Sequence, residues 1–319
     1  MEPFYNILMY DDFDAFTESV TWDLELEQLS AGKFRADLIF FGDMDIQIGK
    51  TAYNVKLLQH GSVPDGITFA LHHPNSAPFT WRYIDFPANG IIVFPDNKEH
   101  QGFSQPNHHP FTVTFSENFL STVTDELELP EVDQFIPKGE IPLCDPVVIH
   151  RIQAFLESLC TTVKYTGEHF LGTLLNHEVK WKIARLIMYA LASSKKIKPK
   201  KRKSYRRKRV VDRILEYVDA DPATPPSIPE LCKVAEVNER TLRNYFYEQF
   251  SLSPKKYLKC HSLNAVRSAI RRMDASKISL TDIANENGFW HMGQFANDYK
   301  NLFGELPSET AGRRTKQRM

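Results

Sequence analysis

The sequence predicts an α+β chain in two parts, a strand-rich N-terminal half closed by helices and an all-helical C-terminal domain. Three observations predict it. Residues ~15–125 break into short apolar stretches separated by Gly, Pro, Asn and Asp, the mark of a sandwich or barrel. From Pro146 the apolar residues recur at helical spacing. Residues 227–310 then carry one helix-turn-helix pattern twice.

In the N-terminal half, Ala36–Phe41, Ile46–Ile48, Ile67–Leu71, Gly90–Phe94 and Phe111–Phe115 read as strands, with Met44, Ile46 and Ile48 on one face. Val147, Val148, Ile152, Phe155, Leu156 and Leu159 mark a first helix. A second runs from about Glu168 to Ala192, with Leu171, Leu174, Leu175, Val179, Ile183, Leu186, Ile187 and Ala190 on a broad apolar face. That face either covers its own sheet or forms the seam of a homodimer; the pattern leaves both open.

Residues 193–208 read as a basic linker. The run SSKKIKPKKRKSYRRKR holds 11 Lys and Arg among 17 residues and no acid. Like charges in a block repel and extend a segment, so a tether that also touches phosphates is expected. Residues 209–319 follow as a separate helical domain. It opens with a stripe of Val210, Val211, Ile214, Leu215 and Val218 and continues after Pro225 and Pro226 into the first repeat.

The first copy runs from Ser227 to Pro254, the second from Ser279 to Pro307. Ile228, Leu231, Cys232 and Val237 recur 52 positions later as Leu280, Ile283, Ala284 and Phe289. Leu242, Phe246, Phe250 and Pro254 recur 53 positions later as Phe295, Tyr299, Phe303 and Pro307. The extra residue falls at the turn. Self-similarity of this kind means one structural unit used twice. The helix-turn-helix segments are placed at about 227–250 and 279–303, joined by a long helix opening at Pro254.

Charge points to a polyanion. Residues 1–192 hold 12 Lys and Arg against 26 Asp and Glu, a net of −14; residues 193–319 hold 27 against 14, a net of +13. A basic half suits nucleic acid, although attraction between the halves is consistent with the same numbers. No run is apolar enough to cross a membrane, and the start MEPFYNILMY lacks the pattern of a signal peptide. Cys144, Cys160, Cys232 and Cys260 form no CxxC pair, which fits free thiols in the cytoplasm.

In the first copy Asn238 is placed to cap a helix from Glu239 to Phe250. Leu242, Tyr245 or Phe246, and Phe250 face inward, leaving Arg240, Arg243, Asn244 and Tyr247 outside. Arg can bond both acceptors of guanine and Asn can do the same with adenine, so Arg243 and Asn244 are the candidate base readers. Glu239 either accepts from cytosine or favours the helix N-terminus. In the second copy His291, Met292, Gln294, Asn297 and Lys300 lie outside; Gln294 and Asn297 are the candidate readers, Lys300 a phosphate contact. The second helix carries fewer charges, so it is expected to add less affinity. Gly293 weakens it by roughly 1 kcal/mol relative to Ala, and Asp298 is expected to point aside.

The run IANENGF…QFANDYKNLFGELP resembles the signature of the AraC/XylS family of bacterial transcription regulators, over about Arg209 to Gly312. Ser251 stands where that family often has Gly, Cys232 where it has Ala, and Glu305–Leu306 vary the segment before the last Pro. The resemblance implies a sequence-specific binder of double-stranded DNA, commonly an activator that touches RNA polymerase, with no cofactor and no enzymatic activity. Many members place a cupin-like β-barrel and two helices before the DNA-binding part, which is the order seen in residues 1–192.

A barrel lined by Phe40, Phe69, Trp81, Tyr83 and Phe94 could hold a small-molecule effector; aromatics that simply fill the core fit equally well. Cupin enzymes hold a metal with histidines and a carboxylate, and the candidates are His72, His73, Glu99, His100, His108 and His109. Adjacent histidines on a strand point to opposite faces, so no metal site is expected. The remaining alternatives are a regulator controlled by a partner protein and a cupin-type metalloenzyme with a DNA-binding appendage.

Overall fold

The computed structural model describes residues 3–20, 22–63, 66–94, 100–129, 141–197, 203–221, 224–272 and 278–317. The chain divides into two compact units. One comprises Met1–Leu26, Arg35–Asn54 and Gln59–Pro199; the other comprises Glu27–Phe34, Val55–Leu58 and Lys200–Met319.

The strands are β1 (Phe4–Tyr10), β2 (Asp23–Gln28), β3 (Ala36–Gly42), β4 (Ile46–Tyr53), β5 (Leu57–Ser62), β6 (Ile67–His72), β7 (Phe79–Trp81), β8 (Ile84–Asp85), β9 (Ile92–Phe94), β10 (His100–Ser104), β11 (Pro110–Phe115), β12 (Ile141–Leu143) and β13 (Lys195–Ile197). Helices α1 (Phe13–Ser19), α2 (Glu117–Glu126), α3 (Pro146–Thr166), α4 (Leu171–Leu174) and α5 (His177–Ala192) complete the N-terminal part. Period-two alternation predicts strands but says nothing about closure. The described strands form three sheets, β1-β3-β4-β11-β6-β9, β2-β5-β10-β7-β8 and the pair β12-β13, and neither large sheet closes into the barrel expected.

Register sorts the larger sheet into two unlike faces. Phe41, Ile48, Val113, Phe69 and Val93 stand in one cross-strand row. This row packs with Leu120, Ile152, Leu156, Ile183 and Ile187 of the helices into the main apolar core. The next row, Phe40, Gly49, Thr112, Ala70 and Ile92, faces the other way. There Ala70, Ile92 and Phe94 meet Phe79, Trp81 and Phe86 in a second cluster. Met44 does not join Ile46 and Ile48; it precedes β4 and is exposed.

The broad stripe of α5 is used up inside its own unit. Ile183, Ala184, Ile187, Met188 and Leu191 are buried in the main core, so this face covers the sheet and is not a free dimer seam. The two ends of the basic run belong to regular elements. Lys195–Ile197 pair antiparallel with Ile141–Leu143, and Lys203 already begins the next helix; residues 198–202 lie outside the described residues.

The second unit holds α6 (Lys203–Ala220), α7 (Ile228–Ala235), α8 (Glu239–Phe250), α9 (Pro254–Arg272), α10 (Leu280–Glu286), α11 (Met292–Phe303) and α12 (Pro307–Gln317). Caps set their starts. Ser227 with Glu230 and Ser279 with Asp282 form capping boxes, and the Asn238 side chain accepts from Thr241 N–H. Helix α9, which separates the two repeats, has 19 residues and so spans about 28 Å at 1.5 Å per residue.

Two short N-terminal segments also belong to this unit. Gln28 is buried; its Nε2 donates to the Leu302 carbonyl at 2.6 Å, and its backbone N–H donates to Asn264 Oδ1 at 3.0 Å. Glu27 accepts from His261 Nδ1 at 2.8 Å. Burial pulls the His261 pKa down, but Glu27 and Asp219 outweigh it and the net shift is upward.

Candidate nucleic-acid interface

Each repeat presents one polar face. On α8, Leu242, Tyr245, Phe246, Gln249 and Phe250 are buried, which resolves the choice between Tyr245 and Phe246: both point inward. Arg240, Arg243, Asn244 and Tyr247 are all exposed. Their spacing of i, i+3, i+4 and i+7 puts them on one helix face. Three aromatic rings fix that helix from behind. Phe246 lies 5.5 Å and Phe250 4.7 Å from the Tyr257 ring, centroid to centroid.

Arg243 is not an independent cation. Its Nε and Nη2 both donate to Glu239 Oε1, at 3.0 and 2.6 Å, within one turn of the same helix. This pairing orients the guanidinium and leaves Nη1 pointing away from the acid's grip. Neither function foreseen for Glu239, cytosine contact or helix-end charge, included this one. The sequence signal was available, since Glu before Arg at i+4 is a favourable helix pair.

On α11, Phe295, Tyr299, Leu302 and Phe303 are buried. His291, Gln294, Asn297 and Lys300 are exposed. Asp298 is held aside by Lys259, 2.9 Å away. A Cβ at Gly293 would meet nothing within 4 Å, so this stretch of α11 stands clear of the protein. The turn before the helix uses Gly288 at φ 82°, a left-handed backbone that suits glycine.

The helices end differently. Both C-caps are left-handed: Ser251 at φ 53° in the first copy, Gly304 at φ 73° in the second. Ser251 bears a Cβ where glycine has none, at a conformational cost. Glu305 proves to be an anchor. Its carboxylate accepts from Arg267 at 2.9 Å and from Thr310 at 2.7 Å and also pairs with Arg313; Thr310 in turn bonds Tyr299 at 2.9 Å. Arg267 and Glu305 are both buried, and the Arg267 guanidinium lies 4.8 Å from the Phe303 ring.

The effector residues expected in the N-terminal half are only partly brought together. Trp81 and Phe94 meet edge to face at 6.0 Å. Tyr83 is buried in the tight turn after β7, where Arg82 and Tyr83 both have positive φ. Phe69 faces the opposite side of the sheet, against Phe115 at 5.8 Å, because it sits one residue out of phase with the Ala70 row. Phe40 lies on the correct face but pairs with Phe4 at 5.3 Å.

The buried histidines His72, His100 and His108 lie in contact with aromatic rings. Burial pushes His100 down to about 4 and His108 down to about 3. His72 stacks on Phe86 at 4.2 Å. Among the described residues no group of three or more His, Cys, Asp or Glu is arranged to hold a metal ion; Glu99 lies outside them. His72 Nδ1, Trp81 Nε1 and His100 Nδ1 are buried with no hydrogen-bond partner, a feature sequence periodicity could not reveal. All four cysteines are free, and no helix among the described residues is long and apolar enough to cross a membrane.

Comparison with known proteins follows the same division of the chain. A family model for a helix-turn-helix domain matches residues 231–313. The XylDLEGF operon transcriptional activator of Pseudomonas putida is 32% identical over 99 residues, covering 31% of this chain and 31% of that protein. A probable thc operon regulatory protein of Rhodococcus erythropolis is 30% identical over 100 residues, covering 31% and 30%. The chain therefore spans under a third of the length of these curated relatives. Among solved structures, a probable AraC family transcriptional regulator from Rhodopseudomonas palustris is 28% identical, with a TM-score of 0.30 over 33% of this chain and 96% of that one. The AraC-like transcriptional activator CuxR is 9% identical, with a TM-score of 0.43 over 84% and 96%. Residues 231–313 thus carry a helix-turn-helix domain, similar to part of these transcriptional regulators.

Proposed function

We propose that this protein is a sequence-specific DNA-binding transcription regulator of the activator type, acting in the cytoplasm. One observation carries the reading: two recognition helices, α8 and α11, each turn a row of exposed hydrogen-bonding side chains outward from a basic unit. Arg243 and Asn244 read bases from the first helix, Gln294 and Asn297 from the second. Arg240, Tyr247, His291 and Lys300 position the helices on the backbone. RNA polymerase is the partner that activation requires. The N-terminal unit controls this activity through a small molecule bound between its sheets, near Trp81 and Phe94. The buried, unpartnered nitrogens of His72, Trp81 and His100 favour such a ligand over control by a partner protein alone. Homodimerisation uses a surface other than the buried face of α5.

Selection of bound duplexes from a random pool, followed by footprinting with and without candidate metabolites, tests this reading. A preferred site about two adjacent major-groove segments long is expected. Arg243→Ala should weaken that site by about 1–3 kcal/mol and relax the preference at one base pair. A wild-type protein that prefers no sequence at any salt concentration overturns it.

A further inference from the structure

The two repeats differ in length by one residue, and the structure identifies that residue. Val237 and Phe289 are equivalent at an offset of 52; Asn238 and His291, the N-caps of α8 and α11, are equivalent at an offset of 53. Trp290 is the residue in between, with no counterpart in the first copy. It is 73% exposed.

That exposure is imposed by its neighbour. Phe289 turns inward and packs on Phe295 at 5.3 Å. In an extended stretch, adjacent side chains leave the backbone on opposite sides, so Trp290 turns outward. It stands immediately before the exposed row of His291, Gln294, Asn297 and Lys300. Side chains of a helix lean toward its N-terminus, so this row leans toward Trp290. Trp22 and Trp181 are half-buried and Trp81 is buried. A large apolar side chain held in water has a cost that contact with a partner would remove.

We infer that Trp290 is a DNA contact of the second recognition helix, packing on the apolar surface of the duplex: the C5-methyl of thymine in the major groove or the adjoining deoxyribose. The inference rests on the DNA-binding reading above. It gives the two helices different chemistry. The first binds through Arg240 and Arg243, whose phosphate or base contacts release counterions and weaken with salt. The second compensates for its fewer charges with apolar contact, which salt does not screen.

The test is equilibrium binding of the full chain to its selected duplex, by fluorescence anisotropy at several salt concentrations. Trp290→Ala is expected to weaken binding roughly tenfold at every salt concentration, the order of one good stacking contact. The slope of log K against log salt should not change. Trp290→Phe should recover most of the loss, and Arg240→Ala should flatten the slope instead. Trp290 is exposed, so both variants should fold; circular dichroism checks that they do. Duplexes with deoxyuridine for thymine tell the methyl group from the sugar. A Trp290→Ala protein that binds like wild type, or whose loss appears only as a changed salt slope, overturns this inference alone. A wild-type protein that selects no duplex overturns the DNA-binding reading itself.

Discussion

The two helix-turn-helix copies share one apolar skeleton and differ in almost everything attached to it. The first is held from behind by aromatic packing, Phe250 stacked on Tyr257 and Phe246 edge to face with it. The second is held by a buried ionic knot of Arg267, Glu305 and Thr310. The first ends its recognition helix on Ser251 in a left-handed conformation, the second on Gly304. The first carries two arginines outward; the second carries none and shows Trp290 and a bare Gly293. Repetition of the skeleton keeps the fold, because burial tolerates exchange among apolar residues of similar volume. The outward residues answer to a different constraint and are free to diverge.

The largest effect should come from breaking the knot behind the second copy. Glu305→Ala leaves Arg267 buried without its carboxylate, and removal of one partner of a buried pair typically costs about 3–5 kcal/mol. Urea unfolding followed by far-UV circular dichroism should show that loss. The corresponding cut in the first copy removes packing but strands no charge, so Phe250→Leu should cost less. If Glu305→Ala is no more destabilising than Phe250→Leu, the two anchors are equivalent and the contrast fails.

Much of this architecture was legible in the sequence, for a physical reason. Helix starts are local: Ser227, Asn238 and Ser279 cap the helices they precede, and the apolar period marks which side is buried. What was not legible depends on residues far apart in the chain. Nothing near Gln28 announces that it bonds Leu302, nor does anything near Glu305 announce Arg267. Phe69 and Phe94 look alike as strand aromatics, and only the register of β6 against β9 puts them on opposite faces. Trp290 has no counterpart in the first copy, so the repeat pattern carries no signal for it.

A smaller effect is expected at Gly293. A Cβ there meets nothing, so Gly293→Ala should stabilise α11 by up to about 1 kcal/mol, visible as a raised Tm. DNA binding gives the second readout. If the helix backbone lies close against the duplex, the added methyl group weakens binding even as the fold gains stability. If binding is unchanged, the second copy keeps the same distance from DNA as the first, and the bare glycine has no function in contact.

The smallest effect on stability, and the most discriminating for the first copy, should come from Glu239→Ala. The Glu239–Arg243 pair is exposed on both sides, and an i, i+4 pair of this kind is worth only about 0.3–0.5 kcal/mol. Thermal unfolding should therefore barely move. Two effects on DNA binding compete. Removing an acid from a surface that faces phosphates favours binding at any sequence. Releasing Arg243 restores rotamer freedom that must be lost again to reach a guanine, which disfavours the preferred site. Non-specific affinity should thus rise while the ratio of specific to non-specific affinity falls. Competition binding against a scrambled duplex separates the two. A ratio that stays constant, or rises, would mean that Arg243 reads its base without help from Glu239, and the first copy would then resemble the second in presenting independent side chains.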